Sequence, residues 1–270
     1  MSDVLFARPR MHYQSYTDLY RLIELASYPL VYLDEIDAQS DNCYIATLYD
    51  NMNDPSDMAV WSNGWPDTRA RVILWDIEYH LGDNALPPVP GLAEVWVSDR
   101  WYGQQITGHT VRYVPLGSDA RLPLTPIERN GHYEYDVATL SYNVWRRQRA
   151  LEDLQNHGLT IAPNAWGEER DRNLEQTRAM VHIHQHDNVP TVAPSRWAIA
   201  AANHLPMITE TLADEGIFGK SYKLMTDFAH MGEAAALWLK DERALADYAS
   251  SLHGLLCEHF TFRKCIEAAL

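Results

Sequence analysis

Residues 180–210, MVHIHQHDNVPTVAPSRWAIAAANHLPMITE, decide the fold. Residues 180–184 read as a short strand. A polar turn with Pro190 and Pro194 follows, then an Ala-rich helical segment opening near Ser195, then a second apolar run, 205–209, that ends at the acid Glu210. Strand, helix-length crossover and second strand make a βαβ unit of a parallel sheet. Open α/β sheets bind ligands outside the carboxyl ends of their strands, where this turn and helix start fall. Ser195 is expected to cap the helix and Arg196 to sit in its first turn. The free N–H groups and partial positive charge of a helix N-terminus suit an anion such as phosphate. An arginine at a helix start is also an ordinary surface residue.

The pattern extends in both directions. Residues 4–7, 30–33, 44–49, 71–75, 94–97 and 111–114 are short apolar runs, most of them ending in acids or polar residues: Asp34, Glu35 and Asp37, then Asp50, then Asp76, Glu78, Tyr79 and His80, then Ser98, Asp99 and Arg100. Buried parallel strands with loops facing a ligand have this form. They predict one sheet of about six strands, with some crossovers too short for full helices. Residues 16–26 have helical period, and 51–67 read as a loop or a short helix within a loop. A boundary falls near 117–131, where Gly, Pro and polar residues cluster. The same grammar then restarts: strand 135–140, polar turn 141–143, helix 144–156 with Arg146, Arg147 and Arg149 early, strand 159–162, helix 168–178, strand 223–226, and helices 232–240 and 242–260. The expected fold class is α/β, with two units joined by a linker and facing a cleft.

Composition narrows the function classes. With 37 acidic against 22 basic residues the net charge is −15, which repels polyanions at long range and disfavours a nucleic-acid partner. Three cysteines, Cys43, Cys257 and Cys265, make no disulfide framework, and with no leader-like N-terminus the expectation is a cytoplasmic protein. No stretch approaches the length of a membrane helix, so no membrane insertion is expected. No G-x-G-x-x-G follows a strand, which disfavours a nicotinamide enzyme.

PLGSD at 115–119, YDVATLSYNVWRRQRALEDL at 135–154 and the strand–PTVAPSRWAIAAANHLPMITE arrangement resemble the glycosyltransferases of the GT-B class, on the side of the group 1 retaining families. Ala200, Ala202, Leu205, Pro206, Met207 and Ile208 match part of that class's nucleotide-holding segment. The sequence departs from it at His204, where the class commonly has Gly, and at Ile199, where it often has a ribose-binding Glu. The resemblance implies two Rossmann-like domains: 1–118 on the acceptor side, 119–250 binding a nucleotide sugar, and a helical tail at 251–270. It implies a metal-independent hexosyltransferase with no cofactor, taking a UDP- or GDP-hexose to a hydroxyl acceptor: a glycan, a small molecule or a lipid-linked sugar. Two alternatives stay open, a phage-type DNA glycosyltransferase acting on a hydroxymethylated base, and a non-catalytic nucleotide-sugar-binding scaffold.

The chemistry asks for few residues. The leaving nucleoside diphosphate gains charge as the anomeric C–O bond breaks, and arginines with helix N-termini stabilise it. Arg146, Arg147, Ser195, Arg196 and Glu210, with Gly117, Ser141 and Asn143 lining the phosphates, are the donor-side candidates. A solvated helical face for the arginines and plain turn chemistry for the others are the competing readings. Glu78 and Asp76 are the acceptor-side acids, with Asp50 and Asp99 behind them. His182, His184 and His186 share a strand face, as metal ligands or, more simply, as hydrogen-bonded residues. The group His253, Cys257, Glu258, His259 and Cys265 reads as packing and surface. Trp61, Trp65, Trp101 and Tyr102 are candidate stacking rings, and Arg100, Arg112, Arg146 and Arg147 a candidate local basic groove.

Overall fold

The computed structural model describes residues 3–10, 17–47, 55–77, 86–122, 132–140, 144–213 and 224–270, with residues 55–58 described by their backbone alone. The chain divides into two units, Met1–Pro115 with Ala268–Leu270, and Leu116–Glu267.

The first unit contains β1 (Val4–Arg8), α1 (Thr17–Leu25), β2 (Leu30–Tyr32), β3 (Cys43–Ala46), α2 (Pro55–Asn63), β4 (Arg71–Asp76), β5 (Leu92–Val97), α3 (Arg100–Gly103) and β6 (Val111–Tyr113). Among the described residues its strands form one sheet in the order β2-β1-β3-β4-β5-β6, and every pairing is parallel. Both faces are covered, which is why the strands read as continuous apolar runs. Ala7, Tyr44, Val72, Leu74, Val95 and Val97 line one face with Trp61, Trp65 and Tyr102. Phe6, Trp75 and Trp96 line the other, their rings 6.5 and 5.8 Å apart in succession. Each fully buried aliphatic or aromatic side chain of this kind contributes roughly 1.5–3 kcal/mol. The short crossovers are as expected: a single 3-10 turn, Leu33–Glu35, stands between β2 and β3, and α3 has four residues. Segment 51–67, left between loop and helix by its sequence, carries α2.

The second unit contains β7 (Tyr135–Ala138), α4 (Trp145–Asn156), α5 (Gly167–Glu175), β8 (Thr177–His182), α6 (Pro194–Ala202), β9 (Met207–Glu210), β10 (Met225–Thr226), α7 (Met231–Trp238), α8 (Glu242–His253), a π-helical turn (Gly254–His259) and α9 (Phe262–Ala269), whose last residues join the first unit. Its strands pair in parallel in the order β10-β9-β8-β7. The β8–α6–β9 passage is the βαβ unit expected from residues 180–210. Val137, Leu154, Val181, Ile208, Met231 and Tyr248 share its core.

Three expectations are corrected. The strand expected at 159–162 is one isolated bridge, Ile161 to Val137, on the side of β7 away from β8. Pro163 follows at once and ends the ladder. The helix expected at 168–178 ends at Glu175, because pairing with β7 draws Thr177 and Arg178 into β8. Helix α6 begins with Pro194, and Ala193 rather than Ser195 occupies the capping position. The fixed φ of proline suits a first helical residue, so the helix starts one residue early.

Candidate functional site

In the second unit, β7 lies between the bridge at Ile161 and β8, so the connection leaving β7 runs to one side and the one leaving β8 runs to β9 on the other. Diverging connections of this kind open the ligand crevice of a parallel sheet. Helix α4 begins there. Arg146 and Arg147 in its first turn are 5 % and 3 % exposed, whereas Arg149 is exposed. The solvated-face reading therefore fails for the first two.

Arg146 and Glu210 form a two-pronged pair, Nη1 to Oε2 at 2.6 Å and Nη2 to Oε1 at 2.7 Å. Arg146 Nε donates to Asp187 at 2.5 Å, Nη1 also to the carbonyl of His184 at 3.2 Å, and the guanidinium lies 4.1 Å from the centre of the Phe228 ring. Glu210 accepts a further bond from the backbone N–H of His184 at 2.6 Å. Its hydrogen bonds raise the Arg146 pKa against the opposing effect of burial. Arg147 Nε donates to the carbonyl of Ile183 at 3.1 Å. The two arginines thus clamp the chain that leaves β8 to the end of β9.

Arg196, in the first turn of α6, donates from Nε to the carbonyl of Leu140 at 2.7 Å and from Nη1 to His182 Nδ1 at 2.9 Å. A guanidinium only donates, so Nδ1 accepts, and Nε2 carries the proton that it shares with the carbonyl of Thr191 at 3.0 Å. Burial, then Arg196, His184 and Arg147, hold His182 well below its ordinary pKa, in the neutral form. His184, its ring centre 5.5 Å from that of His182, is lowered chiefly by burial, and its Nε2 has no hydrogen-bond partner among the described residues. His186 is exposed. Among the described residues Arg146, Arg147 and Arg196 gather here with Glu210 and Asp187. A group of arginines at the carboxyl end of a parallel sheet suits an anion.

Other candidates fall elsewhere. Ser195 makes no side-chain cap. Gly117 has φ +71°, and a Cβ there would meet the Phe260 carbonyl oxygen at 2.7 Å, so its need for glycine is met by the close approach of residues 260–262. Ser141, Asn143, Glu78 and Asp50 lie outside the described residues. Asp76, at the end of β4, is 3 % exposed and takes a short hydrogen bond from the Tyr102 hydroxyl, tying β4 to α3. Asp99 caps α3 through the N–H of Tyr102 at 2.8 Å. Trp61, Trp65 and Tyr102 are core residues and Trp101 packs against them, so no stacking surface comes from these rings. The basic groove also dissolves: Arg112 pairs with Glu94 at 3.1 Å, Arg146 with Glu210, and Arg147 is buried.

The late cluster is packing, as its sequence suggests. Burial pushes the Cys265 thiol up to about 12 and the Cys257 thiol up to about 11, and His253 Nδ1 donates to the Ala201 carbonyl at 2.8 Å. Among the described residues no three His, Cys, Asp or Glu side chains are grouped to hold a metal ion, and no helix is long and apolar enough to cross a membrane.

No family model matches the chain. Two uncharacterised proteins of Acanthamoeba polyphaga mimivirus are similar over about a third of it: L138, 29% identical over 100 residues, and L140, 28% identical over 99. The matched stretch is 34% of this chain in both cases, but 11% and 32% of the viral proteins. Solved structures are similar over nearly the whole chain. A T4 phage BGT variant in complex with UDP-glucose has a TM-score of 0.60 at 11% identity, covering 99% of this chain and 97% of that one. AviGT4, a glycosyltransferase involved in avilamycin A biosynthesis, has a TM-score of 0.57 at 12% identity, covering 99% and 96%. A UDP-forming trehalose-phosphate synthase from Burkholderia xenovorans has 0.50 at 10%, covering 99% and 98%. The chain has a GT-B glycosyltransferase-like fold, two parallel-sheet α/β units in succession.

Proposed function

We propose that the protein transfers a hexose from a nucleotide-sugar donor to a hydroxyl acceptor without a metal ion. The observation that carries this reading is the gathering of Arg146, Arg147 and Arg196 at the carboxyl end of the β7–β10 sheet, at the starts of α4 and α6. UDP-glucose in the phage structure of the same fold supports a uridine or related diphosphate as the donor handle.

In this reading the acceptor oxygen bonds to the anomeric carbon as the bond from that carbon to the diphosphate oxygen breaks. The electron pair leaves with the nucleoside diphosphate. Arg196 and the first turn of α6 meet its developing charge, and the unpartnered Nε2 of His184 gives a further donor or acceptor there. Arg146 and Glu210 saturate one another and act as positioning residues that hold the chain after β8 in place. Glu78 is the proposed acceptor base, since Asp76 is engaged by Tyr102. The donor is UDP- or GDP-linked, the acceptor a glycan, a small molecule or a lipid-linked sugar, and the working compartment the cytoplasm. A DNA acceptor is less favoured, because the chain is acidic and Arg112 and Arg146 are paired with Glu94 and Glu210.

The test is a thermal-shift panel of UDP, GDP, ADP and TDP with their hexose conjugates, with and without chelator. Chelator-insensitive stabilisation by one diphosphate is expected. Arg196→Ala should then weaken that diphosphate by roughly 1.5–3 kcal/mol, the cost of a lost charge-assisted hydrogen bond. Silence across the panel at millimolar ligand would sink the donor site, while binding with neither donor hydrolysis nor transfer would leave a non-catalytic scaffold.

A further inference from the structure

The sheet of the first unit has a switch point of its own. Strand β1 lies between β2 and β3; its connection runs to β2 on one side and that of β3 runs to β4 on the other, so the chain leaves the carboxyl ends of the neighbours β1 and β3 in opposite directions. Crevices at such points bind ligands in open α/β sheets. Arg8 is the last residue of β1. Its guanidinium carbon lies 5.3 Å from the centre of the Tyr20 ring, on α1, and 5.3 Å from that of Tyr32, which ends β2 and is its register partner.

Among the described residues Arg8 has no carboxylate or hydrogen-bond partner; Arg149 and Arg243 have none either, but they are exposed, whereas Arg8 is half-buried. Arg10, over the same Tyr32 ring at 4.4 Å, is bonded to Asp34 at 2.9 Å and stands 3.6 Å from Glu35. Arg71 and Arg112 converge on Glu94, Arg69 meets Asp41 and Arg121 meets Asp119. With 37 acidic residues to 22 basic, a carboxylate is the ordinary partner for an arginine of this chain. Arg8 instead has two aromatic rings beside it, which attract the guanidinium and bring no carboxylate to it. The side chain is half-buried, so water screens it less than an exposed arginine.

We propose that Arg8 is an oxyanion-binding residue, and that the hydroxyl acceptor is a small molecule, such as a sugar, bearing one phosphate or carboxylate. The word acceptor rests on the glycosyl-transfer reading; the anion site does not. A guanidinium offers a fork of N–H groups that matches either oxyanion with two parallel bonds. One half-buried arginine without a carboxylate partner among the described residues, sharing the Tyr32 ring with an Arg10 that is paired with Asp34, on a chain of net charge −15, fits one terminal anion and not a polyanion.

The test is calorimetric titration of the full chain with glucose 6-phosphate, glucuronate, inorganic phosphate and glucose, with UDP titrated in parallel. Arg8→Met keeps the stem that packs between the tyrosines and removes the charge; Arg8→Lys keeps the charge and removes the fork. Melting temperatures of both variants establish that they are folded. Saturable binding of glucose 6-phosphate or glucuronate is expected, weakened about tenfold or more in Arg8→Met and less in Arg8→Lys, with UDP affinity unchanged and glucose not bound. The two sugar arms separate phosphate from carboxylate, and inorganic phosphate shows whether the sugar contributes. Equal binding by wild type and Arg8→Met, or no binding of any anion to the wild type, overturns the proposal. Arg8-dependent displacement of the sugar anion by a short DNA duplex overturns the small-acceptor assignment. Anion binding through Arg8 without any UDP binding sustains the site and removes the glycosyl-transfer reading.

Discussion

At the scale of single residues, the Arg146–Glu210 pair sets the cost of disturbing the second unit. Both side chains are almost fully buried, 5 % and 4 % exposed, and Glu210 accepts three hydrogen bonds. Removing one member of such a pair strands the other charge away from water. Glu210→Ala is therefore expected to cost roughly 3–5 kcal/mol in denaturant unfolding, and Glu210→Gln less. A loss under about 1 kcal/mol would mean that Arg146 reaches solvent when released. His204 shows a different residue-scale effect. It stands where the resembling glycosyltransferases commonly have glycine, and its φ is +49°, a backbone region that glycine enters without strain. Its ring lies stacked on His253 with centres 3.7 Å apart, a contact that glycine lacks.

Between elements, one close constraint concerns α4 and α7. Gly232, in the first turn of α7, donates its N–H to Asp153 of α4 at 2.7 Å. A Cβ at Gly232 would fall 2.7 Å from the Asp153 carbonyl oxygen and 2.4 Å from His157 Nδ1, so no side chain fits without moving one helix from the other. Gly232→Ala is expected to destabilise by about 1–3 kcal/mol despite the better helix propensity of alanine. Thermal melts that show a gain would place the two helices further apart than described. That helical pattern was legible at 232–240, but nothing in the sequence marks the glycine as a contact. The same limit applies to α6: its period was plain, while its start depended on whether Pro194 or Ser195 took the first turn.

For the whole molecule, buried histidines shape stability against pH. His182 and His184 are neutral in the folded chain, with pKa values held below the ordinary 6.5 mainly by burial. Unfolding frees them to take protons, so the unfolded state binds more protons once pH drops below about 6.5. Stability is then lost progressively on acidification, until the depressed folded-state values are reached. His230, raised by its hydrogen bond to Asp227 on the exposed surface, works weakly the other way. Asp136, lowered by its bonds to Thr160 and Arg178 against burial, adds to the loss only in the carboxylate range. Melting temperature is thus expected to fall between pH 7 and about 5, and His182→Gln to flatten that fall. A pH-independent melting temperature across this window would contradict the buried neutral assignment.

The sequence by itself determined the α/β class, the parallel strands and the two successive units, because strand and helix periods are local properties of the chain. It also placed Arg146, Arg147, Arg196 and Glu210 at the ends of the right elements. It left open whether those arginines lie in solvent, and it assigned stacking to Trp61, Trp65 and Tyr102, which the core takes instead. It gave the first strand as residues 4–7 and did not mark Arg8, which ends β1. Pairings such as Arg146 with Glu210, 64 positions apart, or Arg8 with Tyr20 and Tyr32, arise only when crossover connections bring distant strand ends side by side. Whether a charge is cancelled, buried or left for a ligand depends on those neighbours, so tertiary structure alone decided it.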